Sequence, residues 1–180
     1  PVTITGGTYE QMVSASHVAF YFVGAITAPI ILSDVTVNSA HNAIVFVDVQ
    51  APLTLTNVAA TASTTGNGLA LQSVSAAAAS ISIVGGAFAG VQRGAYFAAI
   101  VAPTAISISG AAMEATGTTL PALGFAGAVA GPLTITGGTF TQPDASRNGI
   151  LFEGAVTAAV SISSATVSSG HTAIKFDDLQ

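Results

Sequence analysis

The chain has 180 residues, 51% hydrophobic and only 6% charged, with no cysteine and a formal net charge of −5. So much apolar material argues against disorder and for a sizeable core, under a surface built from Ala, Ser, Thr, Gly and Asn rather than from ion pairs. Three basic residues against eight acidic ones leave no cationic patch to neutralise a phosphate backbone, which excludes nucleic acid as a partner, and the absence of cysteine excludes disulfides and thiolate metal sites.

The first strand-like segment is PVTITGG, from Pro1, and its kind recurs as PIILSD, PLTLTN, SISIVGG, AISISG, PLTITGG and VSISSA. Each alternates with period two and runs into Gly, Asp, Asn or Ser, which reads as a short strand ending in a turn. The second apolar position falls at Ile4, Leu32, Leu55, Ile83, Ile108, Ile135 and Ile162, with gaps of 28, 23, 28, 25, 27 and 27 residues, about 26 on average. After the turn comes a shorter apolar touch, as in Thr8-Tyr9, Val35 to Val37, Ala87-Phe88 and Thr139-Phe140, read as a second strand. A third segment follows, with a small residue, an apolar one and an aromatic: AFYF, AIVF, GLAL, AYFA, ALGF, GILF and AIKF, with first large residues Phe20, Ile44, Leu69, Tyr96, Leu123, Ile150 and Ile174. The longest apolar stretch, 18–32, is interrupted by Gly24, Thr27 and Pro29 and is shorter than a membrane-spanning helix needs, so no membrane span is expected.

A longer period overlies this one. Ala158 to Gln180 matches Ala28 to Gln50 at 11 of 23 positions, and Pro132 to Gln142 matches Pro1 to Gln11 at 8 of 11, so the chain holds about 1.4 copies of a unit of 130 residues, or five short repeats. Strands of four or five residues cannot bury their inward faces alone, whereas stacking a further coil at about 4.8 Å pairs every strand and extends the core. The expected fold is all-β: a right-handed parallel β-helix, one solenoid segment spanning 1–180 with about seven coils of about 26 residues, roughly 34 Å long at that spacing. Phe22, Phe46, Phe125, Phe152 and Phe176, with Leu71 in the third coil, should form an internal stack; in the fourth coil, where Tyr96 and Phe97 adjoin, the spacing puts Ala98 in the aromatic slot and leaves open which ring points inward. Because the sixth and seventh coils restart the first and second, the chain reads as an excerpt of a tandem array, with a segment like Ala51 onward expected after Gln180.

Most charge and nearly all length variation fall between the second and third strands, at 10–17, 38–42, 61–68, 89–94, 114–121, 141–149 and 168–171. In a solenoid these connections line up on one edge, which brings Glu10, His17, His41, Arg93, Glu114, Asp144, Arg147 and His171 to a candidate ligand-contacting surface. His17 and His41 sit at equivalent places on neighbouring coils but the pattern supplies no third ligand, so no metal or other cofactor is expected. Arg93, Glu114 and Arg147 are placed to form surface ion pairs, and Asp48 and Asp178, five coils apart, cannot work as a pair. No nucleophile, base and orienting group converge, so the chain is not expected to be an enzyme. Glycine pairs at 6–7, 85–86 and 137–138 lie between strands and form turns rather than a phosphate cradle.

The outward positions of the first strand make a hydroxyl ladder, from Thr3 and Thr5 through Thr54 and Thr56 to Ser161 and Ser163, broken by Ile31 and Val84. It resembles the Thr-x-Thr arrays of ice-binding β-solenoids, whose paired hydroxyls order water. The TITGGT and SISIVGG turns beside AIVF-type strands resemble the β-helical repeats of large bacterial surface proteins: autotransporter passengers, haemagglutinin-like adhesins and related filamentous proteins. That resemblance implies export, a cell-surface or extracellular site, and structural, filament or adhesive roles. Its partners would be neighbouring coils, further copies joined end to end, and surface glycans or other cells. Polysaccharide lyases and hydrolases share the fold, but this chain lacks their clustered Asp residues beside an Arg or Lys. A carbohydrate-binding or carbohydrate-active β-helix using the loop edge is the alternative, and an ice-binding ladder the third reading.

Overall fold

A computed structural model describes residues 1–13, 17–77, 79–101 and 103–180. Within the 10–17 connection, residues 14–16 therefore lie outside the described residues. The described chain is all strand and turn, wound as a parallel β-solenoid with three strands per coil. Coil 1 holds β1 (Val2–Thr5), β2 (Thr8–Gln11) and β3 (Phe20–Ile26), and coil 2 holds β4 (Ile30–Ser33), β5 (Thr36–Ser39) and β6 (Ile44–Val49). Coil 3 holds β7 (Leu53–Thr56), β8 (Ala59–Ala62) and β9 (Asn67–Leu71), and coil 4 holds β10 (Ser80–Val84), β11 (Ala87–Gly90) and β12 (Arg93–Phe97). Coil 5 follows with β13 (Ala105–Ser109), β14 (Ala112–Ala115) and β15 (Leu123–Phe125), then coil 6 with β16 (Leu133–Thr136), β17 (Thr139–Gln142) and β18 (Ile150–Val156). The last rung is β19 (Val160–Ser163), β20 (Thr166–Ser169) and β21 (Ile174–Leu179), which we call coil 7. Every third strand pairs in parallel, giving three sheets of seven rungs joined by six coil-to-coil steps. No described helix is long and apolar enough to cross a membrane.

Register is continuous through the first two sheets, and the third is interrupted only by bulges in β3 and β18. In the first sheet Ile4, Leu32, Leu55, Ile83, Ile108, Ile135 and Ile162 are successive partners, so the sequence period becomes a column of branched side chains along the axis. Its physical basis is the turn that follows. One residue per coil, Gly6, Asp34, Asn57, Gly85, Gly110, Gly137 and Ser164, adopts a left-handed φ between 51 and 69°. Glycine takes that conformation freely and Asn or Asp tolerates it, which is why the segment ends on those residues. Where the column carries polar side chains they can link the coils: Asn57 Nδ2 donates to Asp34 Oδ1 at 3.1 Å, while within coil 2 Ser33 Oγ donates to Asp34 Oδ2 at 2.9 Å.

The third sheet supplies an aromatic stack. Phe22 lies on Phe46 with centroids 4.6 Å apart; Phe97, Phe125, Phe152 and Phe176 form the other run at 4.8, 4.8 and 4.5 Å; Leu71 stands in register between Phe46 and Phe97. Coil 4 corrects the sequence reading. Ala95, not Tyr96, pairs with Leu69 and Leu123, so Phe97 rather than Ala98 fills the aromatic slot and Tyr96 points outward.

Burial separates the interior coils from the two ends. Phe46 is fully buried, whereas Phe176, its copy in coil 7, is 37% exposed, and Val49 at 1% compares with Leu179 at 71%. Interior coils have neighbours above and below; coils 1 and 7 each have one.

Candidate functional site

The corner between the second and third sheets holds His17, His41, Asp144, Arg147 and His171 in turns held by their own hydrogen bonds. On coil 6, Gln142 ends β17 with its side chain buried at the corner, 1% exposed. Its Nε2 donates to the carbonyls of Gly117, at 3.3 Å, and Leu120, while its Oε1 accepts from the Asp144 amide at 2.8 Å. Arg147 Nε donates to the Thr118 carbonyl at 3.3 Å. Two neighbouring connections, 114–121 and 141–149, are thus cross-linked into one surface. Asp144 caps its own turn, with Oδ1 accepting from the Ser146 hydroxyl at 2.5 Å and the Ser146 amide at 2.8 Å. Those bonds, the hydroxyl first, hold its carboxyl below the usual carboxylate range, with Arg147 adding to them.

The histidines are turn residues. His41 Nδ1 accepts from Asn42 Nδ2 at 2.8 Å and its amide donates to Ser39 Oγ at 3.2 Å, while that hydroxyl donates to the His17 carbonyl at 3.1 Å. Asn42 Oδ1 in turn accepts from the Asn67 amide at 2.8 Å and Asn67 Nδ2 at 3.0 Å, joining coil 2 to coil 3. Gly66 must be glycine there: its φ is +85° and a Cβ would stand 2.8 Å from Asn42 Oδ1. His171, the copy of His41, contacts Thr172 Oγ1 at 2.9 Å and Asn148 Oδ1 at 3.3 Å. Among the described residues no three His, Asp or Glu side chains gather where they could hold a metal ion.

Three predicted edge residues lie on strands instead of loops. Glu10 and Glu114 belong to β2 and β14 and stand on the outward face of the second sheet. Glu10 Oε1 accepts from Asn38 Nδ2 at 3.4 Å, and Glu114 borders a shallow depression floored by Ala87, Ala89 and Ala112. Arg93 opens β12 and is only 8% exposed. Its guanidinium lies 4.1 Å from the centre of the Tyr96 ring, and Nη2 is 3.7 Å from Glu153 Oε1. A Cβ at Gly124 would fall 2.8 Å from Arg93 Nε, so the missing side chain on β15 is what lets the arginine lie across the sheet toward coil 6. Burial lowers its pKa, against the opposing pull of Tyr96 and Glu153, yet a guanidinium starts high enough to stay charged. The ion pair expected with Glu114 is therefore made with Glu153, a residue the sequence reading did not single out; the signal available was Gly124 in an outward slot that is larger on most other coils.

The first sheet carries the hydroxyl ladder as predicted. Thr3, Ile31, Thr54, Ser82, Ser107, Thr134 and Ser161 form one register row, and Thr5, Ser33, Thr56, Val84, Ser109, Thr136 and Ser163 the other. Rungs recur at about 4.8 Å and the two rows stand roughly 6.5 Å apart along the strands. The exposed Ile31 and Val84 interrupt opposite rows.

On chemistry, the edge offers single carboxylates and imidazoles engaged in turns, a nearly buried cation on a ring, and two rows of hydroxyls. These can hydrogen-bond a polar surface. Comparison with protein-family models, with curated proteins and with solved structures found no match.

Proposed function

We propose that the chain is a structural segment of an extracellular surface fibre, a rod whose job is its length and its stacking. One observation carries this reading. Three parallel sheets run through seven rungs, two of them in unbroken register and the third interrupted only by the bulges in β3 and β18, and the strand bounds of coil 7 repeat those of coil 2 at an offset of 130 residues. Such a unit lengthens by repetition without any new contact, because each coil touches only its neighbours. The sparse charge and the largely apolar interior suit a scaffold, and the resemblance to repeats of bacterial surface proteins points the same way.

Adhesion is the second reading, in which the loop edge binds glycans or cells. It is favoured by the stitching of 114–121 to 141–149 through Gln142 and Arg147, which gives a rigid polar surface rather than loose connections. Shortening 61–68, 114–121 and 141–149 to the length of 168–171, with circular dichroism to check retained β-structure, separates the two. The structural reading expects binding to glycan arrays and cell surfaces to be at background before and after shortening. Binding by the parent chain that disappears with the loops overturns it in favour of adhesion. Replacing Thr54, Thr56, Thr134 and Thr136 with lysine is the third arm: freezing-point hysteresis in the parent, lost in this variant, would assign the ladder to ice instead.

A further inference from the structure

Backbone pairing joins neighbouring coils only, and side-chain bonds such as Asn57 to Asp34, Asn67 to Asn42 and Gln142 to the Gly117 carbonyl also span a single step. One pair reaches two. Arg93 opens β12 in coil 4, its stem crosses β15 in coil 5, and its Nη2 lies 3.7 Å from Glu153 Oε1 in coil 6. The crossing needs a gap, which Gly124 supplies. In the register row Tyr96, Gly124, Leu151 it alone has no side chain, and a Cβ there would stand 2.8 Å from Arg93 Nε and 3.1 Å from Cδ. Glu153 sits in the bulge of β18. The same bulge in coil 1 carries Val23 at that place, so the fold of the bulge does not require a carboxylate. Nor is the position easy for a cation: Arg93 Nε is buried with no hydrogen-bond partner, and what offsets that loss is the Tyr96 ring, its centre 4.1 Å from the guanidinium carbon, together with Glu153.

Coil 6 is also where the 130-residue unit restarts, since Pro132 to Gln142 repeats Pro1 to Gln11. We propose that Arg93 is a bolt across that boundary, coupling coils 4, 5 and 6 so that coil 6 cannot open independently of coil 4. The coupling follows from what each charge loses. When coil 6 opens, Glu153 leaves, and the guanidinium either stays shielded from water with no counter-charge or swings out and uncovers Tyr96 and the slot at Gly124; both outcomes disfavour opening. In a solenoid held by contacts between adjoining coils alone, a residue of coil 4 has no such hold on coil 6. Arginine suits the task because its planar cation lies flat on a ring and keeps its charge when shielded, which a lysine ammonium does less well. The corner carries a second tie over the same boundary, since Gln142 and Arg147 of coil 6 donate to carbonyls of the 114–121 connection in coil 5. The bolt is a property of the fold, and it stands whichever surface role the rod has.

Native-state hydrogen exchange reads the coupling at single amides. The Thr157 amide, which donates to the Val129 carbonyl at 3.1 Å, reports the opening of coil 6 on coil 5. Arg93→Gln, made two coils away, is expected to speed exchange at Thr157 by roughly three- to tenfold, and Glu153→Gln, which keeps the size and removes the charge, by a similar factor. The two together should do no more than either alone, because each removes the same pair. A second signature separates the bolt from ordinary packing. Arg93 Nε–H is shielded from water, so in the parent chain it should give a slowly exchanging resonance. Glu153→Gln should quicken that exchange, and Gly124→Ala, whose methyl group displaces a stem free to swing into solvent, should abolish the slow resonance and speed Thr157 as Arg93→Gln does. Circular dichroism confirms the fold of each variant; should Arg93→Gln fail to fold, Gly124→Ala and Glu153→Gln decide the matter. Exchange at Thr157 that ignores the changes at Arg93 and Gly124, or glutamine effects that simply multiply, overturns the proposal.

Discussion

Coils 2 and 7 are two copies of one repeat in two surroundings. Their strands begin and end at the same places 130 residues apart, their turns hold left-handed φ values of 56° at Asp34 and 54° at Ser164, and the same local bond recurs, Gln50 Nε2 to Asp48 at 2.7 Å and Gln180 Nε2 to Asp178 at 3.1 Å. What differs is everything that depends on a coil above. Ser75 of the next coil donates to Asp48 at 2.5 Å, and Phe46 is sealed where Phe176 is 37% exposed. Local sequence therefore sets conformation, and the neighbour sets stability. That division is the energetic signature of a one-dimensional protein, in which each coil contributes an intrinsic term and each contact between coils a further one.

The largest expected effect breaks the comparison at its core. Phe46→Ala removes a ring packed on both sides, at a cost of about 3–5 kcal/mol, because the stack cannot close around the gap. Phe176→Ala in a monomeric rod removes a ring with one covered face at an edge free to relax, and about 1–2 kcal/mol is expected. Urea unfolding of the two variants beside the parent chain measures the difference. Equal losses would mean that the end coil is already covered in solution, and repeating the measurement at low concentration, where any association dissolves, should restore the asymmetry.

Coils 1 and 6 sharpen the same contrast with a smaller change. Gly154→Ala pushes a methyl group into the backbone of Gly127, which cannot swing aside as a side chain could, and about 2–3 kcal/mol of overpacking is expected. Gly24→Ala meets open space and bears only the strain of its φ of +82°, about 1 kcal/mol. Thermal unfolding of dilute protein should rank them in that order.

The features legible in the sequence are those repeated by every coil. A column of Ile or Leu at a steady interval, a Gly, Asp, Asn or Ser after it and an aromatic two residues beyond an apolar position each have seven chances to be seen, and sheets, turns and ladder follow from them. Harder to read was whatever a single coil does alone. Tyr96 and Phe97 are both aromatic, so residue class could not assign the inward slot, and a spacing count placed Ala98 there; the register around Ala95 decides it. Arg93 reads as a loop charge until Gly124, 31 residues on, is seen to give it room, and Glu153, a further 29 on, to give it a partner. Glu10 and Glu114 read as loop residues because their strands extend further than the apolar residues that announce them. The side-chain pairings along the edge depend on contacts between coils that no window of sequence contains.

The smallest expected effect concerns the ends of β2 and β17, where Gln11 Oε1 accepts from the Val13 amide at 3.1 Å as Gln142 Oε1 does from Asp144 at 2.8 Å. Only coil 6 adds a carboxylate to the turn. Because Asp144 titrates below its unfolded value in the folded chain, its contribution is fully present above the ordinary Asp range, near pH 3.9, and is lost as pH falls through the lower folded value. Between pH 7 and about 5 no change is expected. Below about pH 4 the Ser146 amide resonance should begin to move as its acceptor is protonated, with a midpoint under that of a free aspartate, while the Val13 amide, held by an uncharged amide oxygen, stays still over the same range. Asp144→Asn keeps an acceptor oxygen in place and should abolish the titration while leaving the Ser146 amide near its neutral-pH position. A Ser146 midpoint at the ordinary carboxylate value would show that the turn bonds are not maintained in solution, and with them would go the case for an ordered surface on that edge.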